Sequence, residues 1–168
     1  MKLILYMAQT LNGYIAKENN ETPWSEEEWK SFSNYVNKID NLIIGRRTYE
    51  IMRKSKEFEK IGDPVIVVLS KKQGLKTKNI FFVKSAKKAI SLLEEKGFKE
   101  SLVAGGSKTN TSFIKENLID EIILDIEPFI FGKGINLFSE ENFEIKLTLV
   151  DTQKISDNLI QLHYTVIK

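Results

Sequence analysis

The chain has 168 residues, 42% hydrophobic and 29% charged, and its 25 basic and 23 acidic side chains leave a net charge of +2. So even a balance excludes a nucleic-acid protein that works by bulk charge, and the length suits one domain, residues 1–168, burying roughly 70% of its unfolded surface. With no cysteine and a single histidine, His163, the sequence also excludes disulfides, a thiolate nucleophile and cysteine or multi-histidine metal sites.

No DxDxDG-type loop is present for a carboxylate-held cation, so no metal is expected. Residues 1–9 are apolar but short, and charges follow soon after. They read as a first strand rather than a signal peptide or membrane span. A cytoplasmic location, with neither membrane nor nucleic acid as partner, is the expectation.

In chain order, "KLILYMA" (2–8) reads as a strand and "LNGYIA" (11–16) as a glycine-bearing loop. "SEEEWKSFSNYVNKI" (25–39) opens with a capping box, Ser25 and Glu28, and carries Trp29, Phe32, Val36 and Ile39 at helical spacing. "NLIIG" (41–45) is a strand followed by a short helix through Met52. "PVIVVLS" (64–70) is apolar enough for a central strand, and "NIFFVK" (79–84) is a shorter one. "SAKKAISLLEEKG" (85–97) is a helix between a Ser85 cap and a Gly97 stop.

"ESLVAGG" (100–106) is a buried strand ending in two glycines, "SFIKENL" (112–118) continues a helix, and "IDEIILDIEPFI" (119–130) is a long strand. "FEIKLTLVDTQ" and "NLIQLHYTVIK" alternate in period two around the polar turn "KISDN". The fold class expected is α/β in three layers: a mixed, mostly parallel sheet, helices on both faces and a C-terminal antiparallel hairpin. His163 lies in the hairpin and reads as structural.

Open α/β sheets bind ligands beyond the carboxyl ends of their strands. Three such ends carry glycine, hydroxyl or cation: Gly45-Arg46-Arg47-Thr48, Ser70-Lys71-Lys72 and Gly105-Gly106-Ser107. Glycine admits close approach, helix N-termini present N–H groups to phosphate, and arginine adds a planar fork. Together they suit a dinucleotide carrying an additional phosphate.

"TLNGYIA", "LIIGRRTYE", "VVLSK", "VAGGS" and "LIDEIILDIEPFIFGKGINLF" resemble, in order, motifs of the dihydrofolate reductase superfamily, nearest its branch containing the riboflavin-biosynthesis reductase domain. The resemblance implies a dihydrofolate reductase-like fold, an NADPH-dependent reductase and a homodimer. It places Ala8, Ile15 and Ala16 at the nicotinamide, and Gly45, Arg46 and Thr48 at the phosphates. Ser70 and Lys71, with Leu69 beside them, fall at the adenine ribose and its 2′-phosphate. Gly105, Gly106, Ser107 and Thr109 fall at the pyrophosphate, the two glycines matching a pair often joined by a cis peptide. Arg46 is expected to pair with the 2′-phosphate and Arg47 to face solvent.

At the substrate end, dihydrofolate reductases place a carboxylate early in the first helix, shortly after a tryptophan. Here Pro23-Trp24 is followed by Glu26, Glu27 and Glu28, but ungapped alignment lands on Trp29. Glu28, one residue away, is the candidate acid, although the capping box also explains it. Asn12 stands where riboflavin-type reductases usually carry Asp, and with Glu28 it forms the candidate catalytic pair. Asn12, Trp24 and Lys133 are candidate substrate contacts, Lys133 because the riboflavin-type substrate is a ribosyl phosphate. The riboflavin enzyme is often fused to a zinc deaminase with an HxE…PCxxC signature, which a cysteine-free chain cannot supply.

The activity implied is hydride transfer to a pterin- or aminopyrimidine-like heterocycle, phosphoribosylated or not, similar to 5-amino-6-(5-phosphoribosylamino)uracil reductase. A divergent dihydrofolate reductase and an NADPH-binding protein without catalysis are the alternatives.

Overall fold

The computed structural model describes residues 1–74 and 77–168. In chain order its elements are β1 (Lys2–Thr10), β2 (Tyr14–Ala16), α1 (Glu26–Ile39), β3 (Asn41–Gly45), α2 (Arg46–Lys54), a 3-10 turn (Glu57–Lys60), β4 (Val65–Leu69) and β5 (Ile80–Val83). Then come α3 (Ala86–Glu95), β6 (Glu100–Val103), α4 (Ser107–Lys115), β7 (Glu121–Glu127), β8 (Ile135–Asn136), β9 (Leu147–Lys154) and β10 (Ile160–Val166).

Strand periodicity sorts the core into two faces. From β1, Ile4 and Tyr6 join a cluster with Phe32, Val36 and Ile39 of α1 and Tyr49 and Met52 of α2. Leu3 and Leu5 point the other way, to Ala86, Ala89 and Leu93 of α3 and Phe113 and Ile114 of α4. A sheet buried on both sides needs continuous apolar strands, and "LIIG" and "VIVVL" supply them.

The eight-stranded sheet runs β5-β4-β3-β6-β1-β7-β10-β9. Its neighbours are parallel from β5 to β7, whereas β10 pairs antiparallel with both β7 and β9. The mixed, mostly parallel three-layer sheet with a closing hairpin is the expected one. The chain builds outward from β3 to β5 and then returns to insert β6 between β3 and β1, which gathers the ends of β3, β6 and β1 side by side.

Three local expectations change. Within the expected loop 11–16, residues 14–16 form β2, paired with β8 in a second small sheet. The strand expected over 119–130 ends at Glu127, before Pro128, which has no N–H to continue a ladder. The helix expected through residue 118 ends at Lys115, and Asn117 turns the chain with φ +55°. No helix among the described residues is long and apolar enough to cross a membrane.

Candidate active site

A cleft of about 690 Å³ opens at the carboxyl ends of the central strands. One end is built from two helix N-termini. Gly45 caps α2 and Gly106 caps α4, neither helix has a side-chain cap, and neither carries an acid in its first turn. The first N–H groups of both helices are therefore left for a ligand or water. Backbone closeness joins the two ends: Gly45 N–H donates to the Gly105 carbonyl at 2.7 Å. A Cβ on Gly45 would stand 2.5 Å from Thr109 Oγ1, so no larger residue fits between the two turns as they stand. Gly105 has φ +88° and is joined to Gly106 by a cis peptide.

Basic side chains line this end: Arg46, Arg47 and Lys108. Arg46 is held in place, donating through Nε to Glu50 at 2.7 Å and through Nη1 to Ser70 Oγ at 3.3 Å. Ser70 in turn donates to the Lys72 carbonyl at 2.6 Å, which fixes the turn after β4 beside the start of α2.

The other end is acidic and aromatic, with Trp24, Trp29, Phe32, Glu28 and Glu57 on its walls. Ser25 does cap α1, accepting from Glu28 N–H at 3.2 Å. The reciprocal half of the expected box is absent. Ser25 N–H and Oγ–H both donate to Glu127 of β7, at 2.8 and 2.7 Å. Glu28 is thus released from capping. Its side chain is 4% exposed, lines the cleft, and accepts no hydrogen bond among the described residues. Burial first, then the charges of Asp125, Glu127 and Glu57, push its carboxyl up to about 8.

Behind Glu28 lies a buried polar layer with one contributor from each of three neighbouring strands. Tyr6 of β1 donates to Asp125 of β7, and Gln161 of β10 donates to Asp125 at 2.7 Å. Ser31, one helical turn beyond Glu28, lies 2.9 Å from the Tyr6 hydroxyl and 3.2 Å from the Gln161 amide. Burial pushes Asp125 up, and burial with Asp125 beside it does the same to the Tyr6 phenol.

Most expected positions converge on this cleft. Ala8, Ile15, Ala16, Trp24, Glu28, Gly45, Arg46, Thr48, Leu69, Gly106, Ser107 and Thr109 all line it. Gly105 lies just beneath, bonded to Gly45, and Ser70 reaches the cleft through Arg46. Lys71 is exposed on the turn after β4 and is not part of the lining.

Asn12 and Lys133 stand elsewhere. Asn12 Oδ1 accepts from Thr10 Oγ–H at 2.8 Å and from Phe131 N–H at 3.2 Å, while its Nδ2 donates to the Phe131 carbonyl at 2.7 Å. Three of its four hydrogen-bonding positions clamp two loops together and the residue lies outside the lining, which corrects its reading as a catalytic or substrate contact. Lys133 is exposed on the loop before β8, outside the lining. Arg47 departs the other way, since it is exposed yet forms part of the cleft wall. His163 sits 3.0 Å from Glu121, away from the cleft, as a structural residue would. Sequence motifs do not point to Asp125, Glu127, Tyr6 or Ser31; the period-two placement of Asp125 and Glu127 in β7 is the one signal available.

Comparison with known proteins agrees with this geometry. The RibD C-terminal domain family matches residues 1–161. The chain belongs to that family. It is 32% identical over 170 residues to YwjB, a Bacillus subtilis protein of uncharacterised function, covering 97% of each. Among solved structures, a candidate riboflavin biosynthesis protein from Shewanella sp. PV-4 superposes with a TM-score of 0.83 at 27% identity over all of both chains. A Thermotoga maritima protein named as a diaminohydroxyphosphoribosylaminopyrimidine deaminase and 5-amino-6-(5-phosphoribosylamino)uracil reductase shares the fold. Its TM-score is 0.77 at 21% identity, over 99% of this chain and 56% of that one. The dihydrofolate reductase-like fold of this family is therefore the fold here.

Proposed function

We propose that the chain is an NADPH-dependent reductase of a pterin- or aminopyrimidine-like heterocycle. The carrying observation is that one cleft joins two uncapped, cation-flanked helix N-termini to a buried acid. Membership of a family that includes pyrimidine reductases supports it.

The cationic end fits the coenzyme's phosphates. The starts of α2 and α4 offer N–H groups, Gly45 and Gly106 let a diphosphate approach the backbone, and Arg46, held beside Ser70, offers guanidinium donors for a 2′-phosphate. Ala8, Ile15 and Ala16 give a buried apolar surface for the nicotinamide. When bound, the dinucleotide would supply a hydride to the electrophilic carbon of a C=N or carbonyl bond.

Reduction of a C=N or C=O bond also takes up a proton, and Glu28 holds one. At neutral pH its raised carboxyl is mainly protonated inside the cleft, so it donates to the ring atom that gains electron density. The apolar walls of Trp24, Trp29 and Phe32 keep water from competing.

Titration with NADPH, followed by coenzyme fluorescence, tests this. Saturable one-to-one binding that weakens on Ser107→Asp, which places a negative charge at the start of α4, is the expected result. Lack of uptake removes the proposal.

A further inference from the structure

The substrate named for the Thermotoga maritima relative carries a ribosyl phosphate. The charges along this cleft decide whether such a group fits here. Among the described residues, the basic side chains in the lining are Arg46 and Arg47, from the first turn of α2, and Lys108, from the first turn of α4. All three belong to the end that suits the coenzyme. The opposite end presents Glu28 and Glu57, backed by Asp125 and Glu127, with Tyr6 as the further titratable neighbour. Lys60 stands 5.2 Å above the Trp29 ring but outside the lining, and Lys133 is outside it as well.

Aromatic and aliphatic side chains crowd the rim at that end, with Asn12 bonded to Phe131 and exposed Lys133 two residues beyond it. Trp24 stacks on Phe131 with ring centroids 6.3 Å apart and an interplanar angle of 9°. Phe131 packs on Phe129 at 6.1 Å. Beside them Leu11 and Ile130 are 69% and 71% exposed, and Leu11 N–H is bonded to the Phe129 carbonyl. A substituent leaving the cleft here meets aromatic and aliphatic surface.

We propose that the substrate compartment takes an unphosphorylated planar nitrogen heterocycle, neutral or cationic, whose substituent exits over the Trp24–Phe131 rim. This rests on the reductase reading for the chemistry, though the selectivity belongs to the compartment alone. A phosphate placed inside the compartment would lose its hydration beside a buried carboxyl and gain no cation from the described lining. A planar cation gains the faces of Trp24 and Trp29 and, on ionisation of Glu28, a carboxylate partner.

Two probes separate the alternatives: benzamidine, a planar cation rich in N–H groups, and ribose 5-phosphate, the group on the relative's named substrate. Binding is read at about pH 8.5 by quenching of Trp24 and Trp29, the chain's two tryptophans, with and without NADPH. With NADPH occupying the cationic end, benzamidine is expected to bind at least tenfold more tightly than ribose 5-phosphate. Glu28→Gln, which keeps the side chain's shape, is expected to lower that affinity at least tenfold and leave NADPH binding unchanged. Absence of benzamidine binding, or equal binding to Glu28→Gln, overturns the proposal. So does ribose 5-phosphate that displaces benzamidine and still binds Arg46→Ala. Failure of NADPH alone to bind overturns the coenzyme reading and leaves the benzamidine result standing.

Discussion

Three helices begin at this cleft, and they begin in opposite ways. The start of α1 is answered within the protein: Ser25 caps it, three glutamates occupy its first turn, and Glu127 holds the cap. The starts of α2 and α4 have glycine caps, no acids, and the cations Arg46, Arg47 and Lys108. A cation at a helix N-terminus opposes the dipole, by roughly 0.3–1 kcal/mol at an exposed site. Two neighbouring helices built that way suit the coenzyme phosphates proposed above, whereas α1 already has its own anions. The contrast shows that an anion site is marked by what a helix start lacks as much as by what it carries.

The largest expected effect breaks the cationic end. A charged hydrogen bond to phosphate contributes about 1.5–3 kcal/mol, and about 1.4 kcal/mol is tenfold in affinity. Arg46→Ala is therefore expected to weaken NADPH by roughly 10- to 10³-fold while NADH changes little. Dissociation constants for both coenzymes decide it. Equal losses would mean that Arg46 meets a phosphate common to both, and would hand the 2′-phosphate to Arg47, which shares the wall.

A smaller effect tests the acidic end through stability. The Glu28 carboxyl stands at about 8 in the folded chain against an ordinary 4.5. Between those values the folded chain keeps a proton that the unfolded chain has released, so stability falls as pH rises through that window. The contribution is full below about pH 4.5 and lost by about pH 8. Glu28→Gln cannot ionise. It should match the parent at about pH 4 and exceed it by about 2–4 kcal/mol at about pH 9. Denaturant unfolding at the two pH values measures the difference, which includes the repulsion from the buried Asp125 that Glu28→Gln removes. Parallel stability curves would show that Glu28 reaches solvent.

The two ends are not equally legible in the sequence. Glycine, arginine and hydroxyl at consecutive strand ends are local signals, and all but Lys71 and Lys72 fall on or directly against the cleft. The acidic end depends on partners far apart in the chain. Ser25 with Glu28 satisfies a local capping rule, and nothing within that helix announces that Glu127, 102 residues on, performs the second half. In β7, Asp125 and Glu127 alternate with Leu124 and Ile126 as in a half-exposed strand. Asp125 is buried because the antiparallel β10 brings Gln161 opposite it, and Glu127 because Ser25 at the start of α1 bonds it. Arg47 reads as solvent-facing, and it is exposed, but on the first turn of α2 an exposed side chain also borders the cleft.

The smallest expected effect concerns the rim of the acidic end. Family resemblance puts Asp where this chain has Asn12, and the geometry says why an amide is needed. Its Nδ2 donates to the Phe131 carbonyl while its Oδ1 accepts from Phe131 N–H and Thr10. A carboxylate could still accept both bonds but would face the carbonyl with no proton between them. Asn12→Asp is therefore expected to lower stability by about 1 kcal/mol, the ordinary worth of one exchanged hydrogen bond. It should also loosen the Trp24–Phe131 stack, seen as a shift in tryptophan emission, and leave NADPH affinity as it was. Were Asn12 instead a substrate contact, the same change would leave emission and stability untouched and alter only substrate affinity. Emission and unfolding therefore distinguish a clamp from a contact whatever the heterocycle turns out to be.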